Sequence, residues 1–350
     1  MADQVASFYF HPRMLDYNFG PNHPFKPDRL ERAVALLANL GIKPTDPGLA
    51  TIDDALRVHD EGYLDAIAHA MDLDADELSM YGISPGDTPA FPNMLQGALN
   101  YSSGSVAAAR EVCNGAKLAT TLAGGLHHAQ RNRASGFCVL DDCAMALSIL
   151  REKFERVAYV DIDVHHGDGV QAIFYDDPTV LTCSIHQDGR TLYPGTGWVD
   201  ETGADFSSIN VPLLPGTTAD VWLWAFRNGI LLFLKEFKPG AIVLQMGADT
   251  HFSDPLAHIN NTAQSYLEAV RDVKGLGIPL VALGGGGYNI TSVVRMWAAA
   301  ILTLNGLEIP GDVPEPFAGE WNMPKFFDPE QIQSSGQEQA EKVVAWLETH

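Results

Sequence analysis

The chain is poor in cysteine, short of positive charge and without a long apolar run. Its four cysteines, Cys113, Cys138, Cys143 and Cys183, form no Cys-x-x-Cys pair. That excludes a disulfide scaffold and a cysteine-built structural zinc site, and it suits a reducing compartment. Only 22 Lys and Arg stand against 44 Asp and Glu, a net charge of −22. Such a surface repels nucleic-acid phosphates, so no nucleic-acid partner is expected, and it welcomes a cationic one; acidity serves solubility equally well. No apolar stretch reaches the roughly 18–20 residues that span a bilayer, so no membrane span is expected. The first ten residues lack the basic and apolar regions of a signal peptide, so the expected location is cytoplasmic. No linker, charge block or fixed-period repeat divides the 350 residues, and the expectation is a single domain over 1–350.

What is present is an alternation of apolar β-branched runs with helical patterns. Apolar spacing predicts a helix over Arg29 to Leu40, with Asp28 as N-cap and Gly41 as its end. A second helical pattern lies within residues 51–75. Pro85, Pro89 and Pro92 mark residues 79–97 as a surface loop, with Asp87 as a rim residue. Helices are expected over 98–112, 144–150, 221–237 and 331–350, and strands over 118–122, 157–164, 180–185, 241–246 and 279–283. Strand followed by helix, repeated, implies an α/β fold with a mostly parallel sheet and helices on both faces.

The chain is organised around residues 157–169, an apolar strand that ends in chemistry. Asp161, Asp163 and His165 fall at every second position, so while the strand persists their side chains leave on one face, before Gly167 and Gly169 turn the backbone. Carboxylate and imidazole at that spacing make half of a divalent-metal site. A lone Asp or His at a strand end is more often a helix cap or a satisfied core group. Five ionisable residues in eight positions, 161 to 168, cost too much to bury without a function. Polar residues follow other strands too: His127-His128, His186, Asp249 and Tyr288. In parallel α/β sheets ligands bind beyond the carboxyl ends of the strands, so one pocket could collect Asp163, His165 and Asp249 around a metal, with two histidines and a tyrosine beside it. That inventory fits metal-assisted hydrolysis. The glycines 284–287 do not match the spacing of a nucleotide-phosphate loop.

Six motifs occur in order: Gly125-Leu-His-His-Ala129, Ser135-Gly-Phe-Cys138, Val160-Asp-Ile-Asp-Val-His-His-Gly-Asp-Gly169, Tyr193-Pro-Gly-Thr-Gly197, Gly247-Ala-Asp-Thr250 and Leu283-Gly-Gly-Gly-Gly-Tyr-Asn289. Together they resemble the motif set of the zinc-dependent histone deacetylase family, closest to its class I and bacterial acetoin-utilization branches. The likeness runs over about residues 8–325, with 326–350 as a helical closure. It implies the arginase/deacetylase fold, with a central eight-stranded parallel sheet. It also implies Asp163, His165 and Asp249 as ligands of Zn²⁺, with Fe²⁺ as the alternative metal. His128 would be general base and His127 its electrostatic and proton-transfer partner, the two oriented by Asp161 and Asp168, while Tyr288 would be the oxyanion donor. Phe137 and Tyr193 would wall an acyl-lysine tunnel, Gly136 would line it, and Asp87 would bind substrate backbone at its rim. A structural K⁺ would sit at Asp161, Asp163 and His165 with Ser184 and Ile185.

The implied reaction is hydrolysis of Nε-acetyl-lysine, or another acyl-lysine, in a protein or peptide; homo-oligomers are left open. An acetylpolyamine amidohydrolase is the near alternative. Leu256 weighs toward peptidyl-lysine, since polyamine-preferring relatives tend to carry an acid there. A binuclear manganese ureohydrolase would want a paired carboxylate motif where this chain has Asp249-Thr-His251. A non-catalytic binding module is the option from another class, and the retained oxyanion tyrosine argues against it. For His166, Asp254 and His258 the expected role is structural hydrogen bonding.

Overall fold

The computed structural model describes residues 5–330 and 334–349. Short β-branched runs form one all-parallel sheet: β1 (Ser7–Tyr9), β2 (Leu118–Thr121), β3 (Val157–Asp161), β4 (Val180–Gln187), β5 (Ser208–Leu213), β6 (Ala241–Gln245) and β7 (Leu280–Leu283). The order across the sheet is β1-β2-β7-β6-β3-β4-β5. Every residue of β3 and β6 is buried, as two-sided covering by helices demands. Strand β5 was not expected; its Ser-Ile-Asn-Val-Pro-Leu sequence is too polar, and its proline suits only an edge.

The sheet has seven strands among the described residues, not the eight expected. Beyond β1 the only further pairing among the described residues is an isolated bridge at Thr45. Thr45 donates its N–H to Phe8 O at 2.8 Å and accepts from Phe10 N at 3.1 Å. Pro44 and Pro47 flank it, and a proline offers no N–H with which to continue a ladder.

The helices are α1 (Asp28–Asn39), α2 (Ile52–Ala55), α3 (Glu61–Ala68), α4 (Ala75–Met80), α5 (Met94–Cys113), α6 (Asp142–Leu150), α7 (Asp168–Phe174), α8 (Ala219–Gly229), α9 (Leu231–Phe237), α10 (Ala263–Gly275), α11 (Ile290–Leu304), α12 (Phe317–Glu320) and α13 (Gln337–Thr349). Asp28 is not the cap of α1 but its first residue, and Pro27 takes the cap position without a side-chain bond. The apolar stretch 221–237 holds two helices. Gly229 lies so close to β5 that a Cβ there would meet Val211 Cγ2 at 2.9 Å, and Ile230 breaks the spiral with φ −119°. The expected C-terminal helix is shorter, at α13; residues 331–333 and 350 lie outside the described residues. It is amphipathic, burying Ala340, Val343, Val344 and Leu347 against α8 and β5.

This topology fixes where chemistry can sit. From β3 the chain crosses to β4 on one side, and from β6 it crosses to β7 on the other, while β3 and β6 pair directly, Asp161 opposite Gln245. Their loops diverge and open a crevice at the switch point, which is where ligands bind in open parallel sheets.

Farther along, Asp328 ties three elements together. Its Oδ2 accepts the Ala263 N–H at the start of α10 (2.8 Å) and lies 3.0 Å from His251 Nε2, while Oδ1 pairs with Arg295 of α11. Burial works against the charge, but His251 and Arg295 outweigh it and hold the carboxyl down to about 2. A depressed carboxyl stabilises the fold above its ordinary value near ~4, and that contribution drains away as pH falls toward the folded value. Urea melts across a pH series should therefore show Asp328→Asn less stable than the parent at neutral pH, with the gap closing below about pH 4. A gap that persists undiminished at the acid end would rule out the ionised carboxylate as its source.

Candidate metal centre

Strand β3 stops at Asp161, four residues short of the His165 that the alternation would reach. Asp163 and His165 therefore owe their common direction to a turn, not to a pleat. Asp163 N–H donates to Asp161 Oδ1 (3.1 Å) and His165 N–H to Asp163 Oδ1 (3.0 Å), each side chain folding back on the next backbone group. The β6 loop is stitched to the same turn: Val164 N–H donates to Asp249 Oδ1 at 2.9 Å.

These contacts bring three donor atoms together. Asp163, His165 and Asp249 are buried and offer ligand atoms within 4.8 Å of one another. His165 Nδ1 lies 3.1 Å from Asp163 Oδ1 and 3.2 Å from Asp249 Oδ2. Tetrahedral ligands about 2.0–2.1 Å from a zinc ion stand roughly 3.3 Å apart, so the set has the right size. Asp249 Oδ2 is fully buried yet makes no hydrogen bond. A proton on His165 Nδ1 serves one carboxylate at most, which leaves a buried anionic oxygen for a cation to satisfy. Burial and the neighbouring Asp163 both push the Asp249 carboxyl up, the response of two acids sharing a dry site. Glycine makes the approach feasible: a Cβ on Gly286 would stand 2.0 Å from Asp249 Oδ2, and one on Gly247 2.1 Å from Asp163 Oδ2. The residues present fit a divalent metal.

The two histidines reach the same place. Adjacent residues on a strand point apart, but His127 and His128 lie beyond β2, after Gly125 at φ +96°. Their Nε2 atoms approach to 3.1 Å. Behind them His127 Nδ1 meets Asp161 Oδ2 at 2.7 Å and His128 Nδ1 meets Asp168 Oδ1 at 2.6 Å. Burial disfavours a charged His127, yet Asp161 and Asp163 outweigh it and raise the ring to about 9. Burial and that neighbouring charge both lower His128. The pair thus holds one proton-rich and one proton-poor imidazole, back to back.

Around this centre stand the other predicted residues. Phe137 and Tyr288 meet edge to face with centroids 5.8 Å apart, and Tyr193 packs on His128 at 5.1 Å. Gly136 and Phe137 both adopt left-handed backbone, φ +51° and +68°. Tyr17 hydroxyl holds the Phe137 carbonyl at 2.7 Å, and Asp87 Oδ2 accepts the Gly136 N–H at 2.9 Å. Asp87 thus stands beside the pocket. Leu256 does not line the small cavity, of about 20 Å³, that Leu126, Cys138 and Tyr288 help enclose; it is half-buried, with its N–H on Asp254 Oδ1 (2.9 Å). Ser184 lies opposite Asp161 in the β3–β4 register, followed by Ile185, and its Oγ meets His186 Nδ1 at 2.8 Å. His166 bonds Thr196 and Gln171, Asp254 accepts from Leu256 and Tyr288, and the His258 N–H donates to Gln187.

Sequence reasoning missed several supports. Gln245 Nε2 donates to Asp163 Oδ2 (2.8 Å), Tyr159 hydroxyl to Asp161 Oδ2 (2.7 Å), and Gln130 Nε2 to Asp168 Oδ2 (2.9 Å). Arg29 is buried beside the pocket, Nη1 donating to Gly287 O at 2.9 Å, its guanidinium over the Phe25 ring. A glutamine inside an apolar strand, and an arginine on the buried stripe of α1 one turn before Ala33, were the available signals.

Residues 23–304 match the Histone deacetylase domain family. Acetoin utilization protein AcuC of Bacillus subtilis (strain 168) is 38% identical over 338 residues, 92% of this chain and 87% of that protein. The AcuC of Staphylococcus xylosus is 33% identical over 380 residues, covering 99% of both chains. That of Staphylococcus aureus (strain MRSA252) is 35% identical, covering 90% of this chain and 86% of its own.

Proposed function

The chain belongs to the histone deacetylase family, and from that premise we propose that it hydrolyses Nε-acetyl-lysine in proteins or peptides to lysine and acetate. The observation that carries the reading is the orphaned Asp249 Oδ2 inside a three-ligand set, with a histidine pair and a tyrosine at the same crevice.

Asp163, His165 and Asp249 would hold Zn²⁺, with Fe²⁺ as the alternative, and the ion would act as a Lewis acid on the amide carbonyl and acidify the attacking water. His128, the proton-poor ring, accepts a proton from that water while Asp168 holds its far nitrogen. His127 stays charged on Asp161 and stabilises developing negative charge. Tyr288 donates to the tetrahedral oxyanion; desolvation and Asp249 push its phenol well above 10, so it remains a protonated donor. As the C–N bond breaks, the lysine amine takes the proton that His128 gained. Phe137 and Tyr193 flank the lysine stem, and Asp87 meets the substrate backbone at the rim.

The backbone at Asp161, Asp163 and His165, with Ser184 and Ile185, suits a structural K⁺. No described helix is long and apolar enough to cross a membrane, and four free cysteines suit a reducing cytoplasm, with residues 1–350 acting as one catalytic unit.

Gly136 gives a local check on the tunnel. A Cβ there would meet His128 Cδ2 at 2.4 Å and Tyr193 Cε1 at 2.8 Å. Gly136→Ala should retain metal and lower kcat/KM by about tenfold or more through displacement of either ring; unchanged kinetics would remove Gly136 from the tunnel. The reading itself is tested by assaying acetyl-lysine peptide and acetylputrescine in parallel, with and without chelator. Chelator-sensitive turnover favouring the peptide is expected. Turnover on acetylputrescine alone would move the assignment to polyamines, and none on either substrate with zinc bound would overturn catalysis of this kind.

A further inference from the structure

Tyr288 follows four consecutive glycines, 284 to 287, and Gly285 and Gly287 have φ of +145° and +131°. Glycine gives this run its closeness to the metal ligands but no stiffness, since it restrains the backbone least of all residues. A donor that must meet a developing oxyanion has to be held to about 0.5 Å. The stiffness therefore comes from outside the run.

Three successive residues are each gripped by a different side chain. Gly287 O accepts from Arg29. Tyr288 N–H donates to Asp254 Oδ2 at 2.7 Å, and Asn289 Nδ2 donates to both the carbonyl oxygen (3.1 Å) and the Oγ (3.0 Å) of Ser253. Ser253 and Asp254 are themselves anchored. Ser253 Oγ lies 2.8 Å from His251 Nδ1, whose Nε2 lies 3.0 Å from Asp328 Oδ2. Asp254 spends its other oxygen on Leu256 N–H at 2.9 Å. The side chains of His251 and Asp328 are nearly covered, whereas Ser253 and Asn289 are half-buried.

We infer that Asp254 and Ser253 are positioning residues for the Tyr288 phenol, and that Asp328 steadies them through His251. The inference rests on the proposed role of Tyr288 as oxyanion donor. It assigns a task to residues outside the proposed metal-ligand set, one of which, Asp328, lies beyond the stretch 8–325 that carries the family motifs.

Asp254→Asn keeps the shape but leaves one oxygen for two N–H groups, so either Tyr288 or Leu256 loses its acceptor. With 3-fluorotyrosine incorporated, the ¹⁹F resonance of Tyr288, assigned as the line missing from Tyr288→Phe, should shift or broaden in Asp254→Asn while the other lines stay. That reading needs neither metal nor substrate. In the zinc-loaded enzyme kcat should fall by about tenfold with KM and zinc content unchanged. In the Tyr288→Phe background the same change should cost less than about twofold, because residues that act through one group do not add. Should Asp254→Asn fail to fold, Ser253→Ala serves, with a smaller effect of the same pattern. Asp328→Asn should move the Tyr288 line too, and an unmoved line there removes the distal step. An unmoved line in both near variants, or an equal loss with and without the tyrosine hydroxyl, overturns the positioning role. A shifted line in an enzyme without deacetylase turnover would keep the clamp and discard the assigned reaction.

Discussion

Tyr288→Phe should lower kcat by about 10²- to 10³-fold and leave zinc content and KM close to the parent, the usual cost of one oxyanion donor. The substitution is clean because the ring keeps its neighbours. Phe137 at 5.8 Å and His165 at 6.4 Å, centroid to centroid, both meet the ring in T-shaped contacts that a phenylalanine ring can keep. The hydrogen bonds to Gly287 O, Tyr288 N–H and the Asn289 side chain are untouched as well. Only the donor is lost, and it is one the transition state uses more than the ground state does. Steady-state kinetics with metal analysis on the same preparation decides it, and parent-like turnover would take Tyr288 out of the chemistry.

Asp249→Asn should abolish stoichiometric zinc binding and with it at least about 10³-fold of activity, because the third ligand supplies charge as well as position. Asparagine is the better probe than alanine. It can still accept the Val164 N–H that Asp249 Oδ1 holds at 2.9 Å, so the two loops stay joined while Oδ2 becomes an amide. The same change removes the repulsion between two buried acids, so the metal-free variant should melt no lower than the metal-free parent. Adding zinc should then stabilise the parent alone, by roughly 4 kcal/mol at a thousandfold excess over Kd. Full zinc occupancy in Asp249→Asn would show that Asp163 and His165 find their third partner elsewhere.

Much of this was legible in the sequence because parallel strands buried on both faces must be nearly all apolar. Polar groups at their ends, such as Asp161 and Asp249, then stand out. Local signals failed where the structure depends on distant residues. Apolar alternation cannot say that β3 stops at Asp161, since the turn beyond it is held by side chains folding back on their own backbone. Nor can it bring His127 and His128 together, which needs Gly125 against the backbone of Gly284. Gln245 and Arg29 meet the site across 82 and 258 residues of chain, to Asp163 and Gly287. The count of eight strands comes from the resemblance alone, with no stretch of residues behind the eighth, and the sheet has seven among the described residues.

The prolines near Thr45 bear on self-association. A sheet with open flanks invites a second copy to add its own strand, the route to aggregates and runaway polymers. Here one flank shows a single bridged threonine, with Pro44 before it and Pro47 two residues after it. The other, β5, contains Pro212, and the Pro212 carbonyl is taken by Gln339 of the helix packed over it. Each side is thus interrupted where a second strand would have to pair. Assembly of copies of this chain is then expected to run through helices and loops rather than by adding strand to strand.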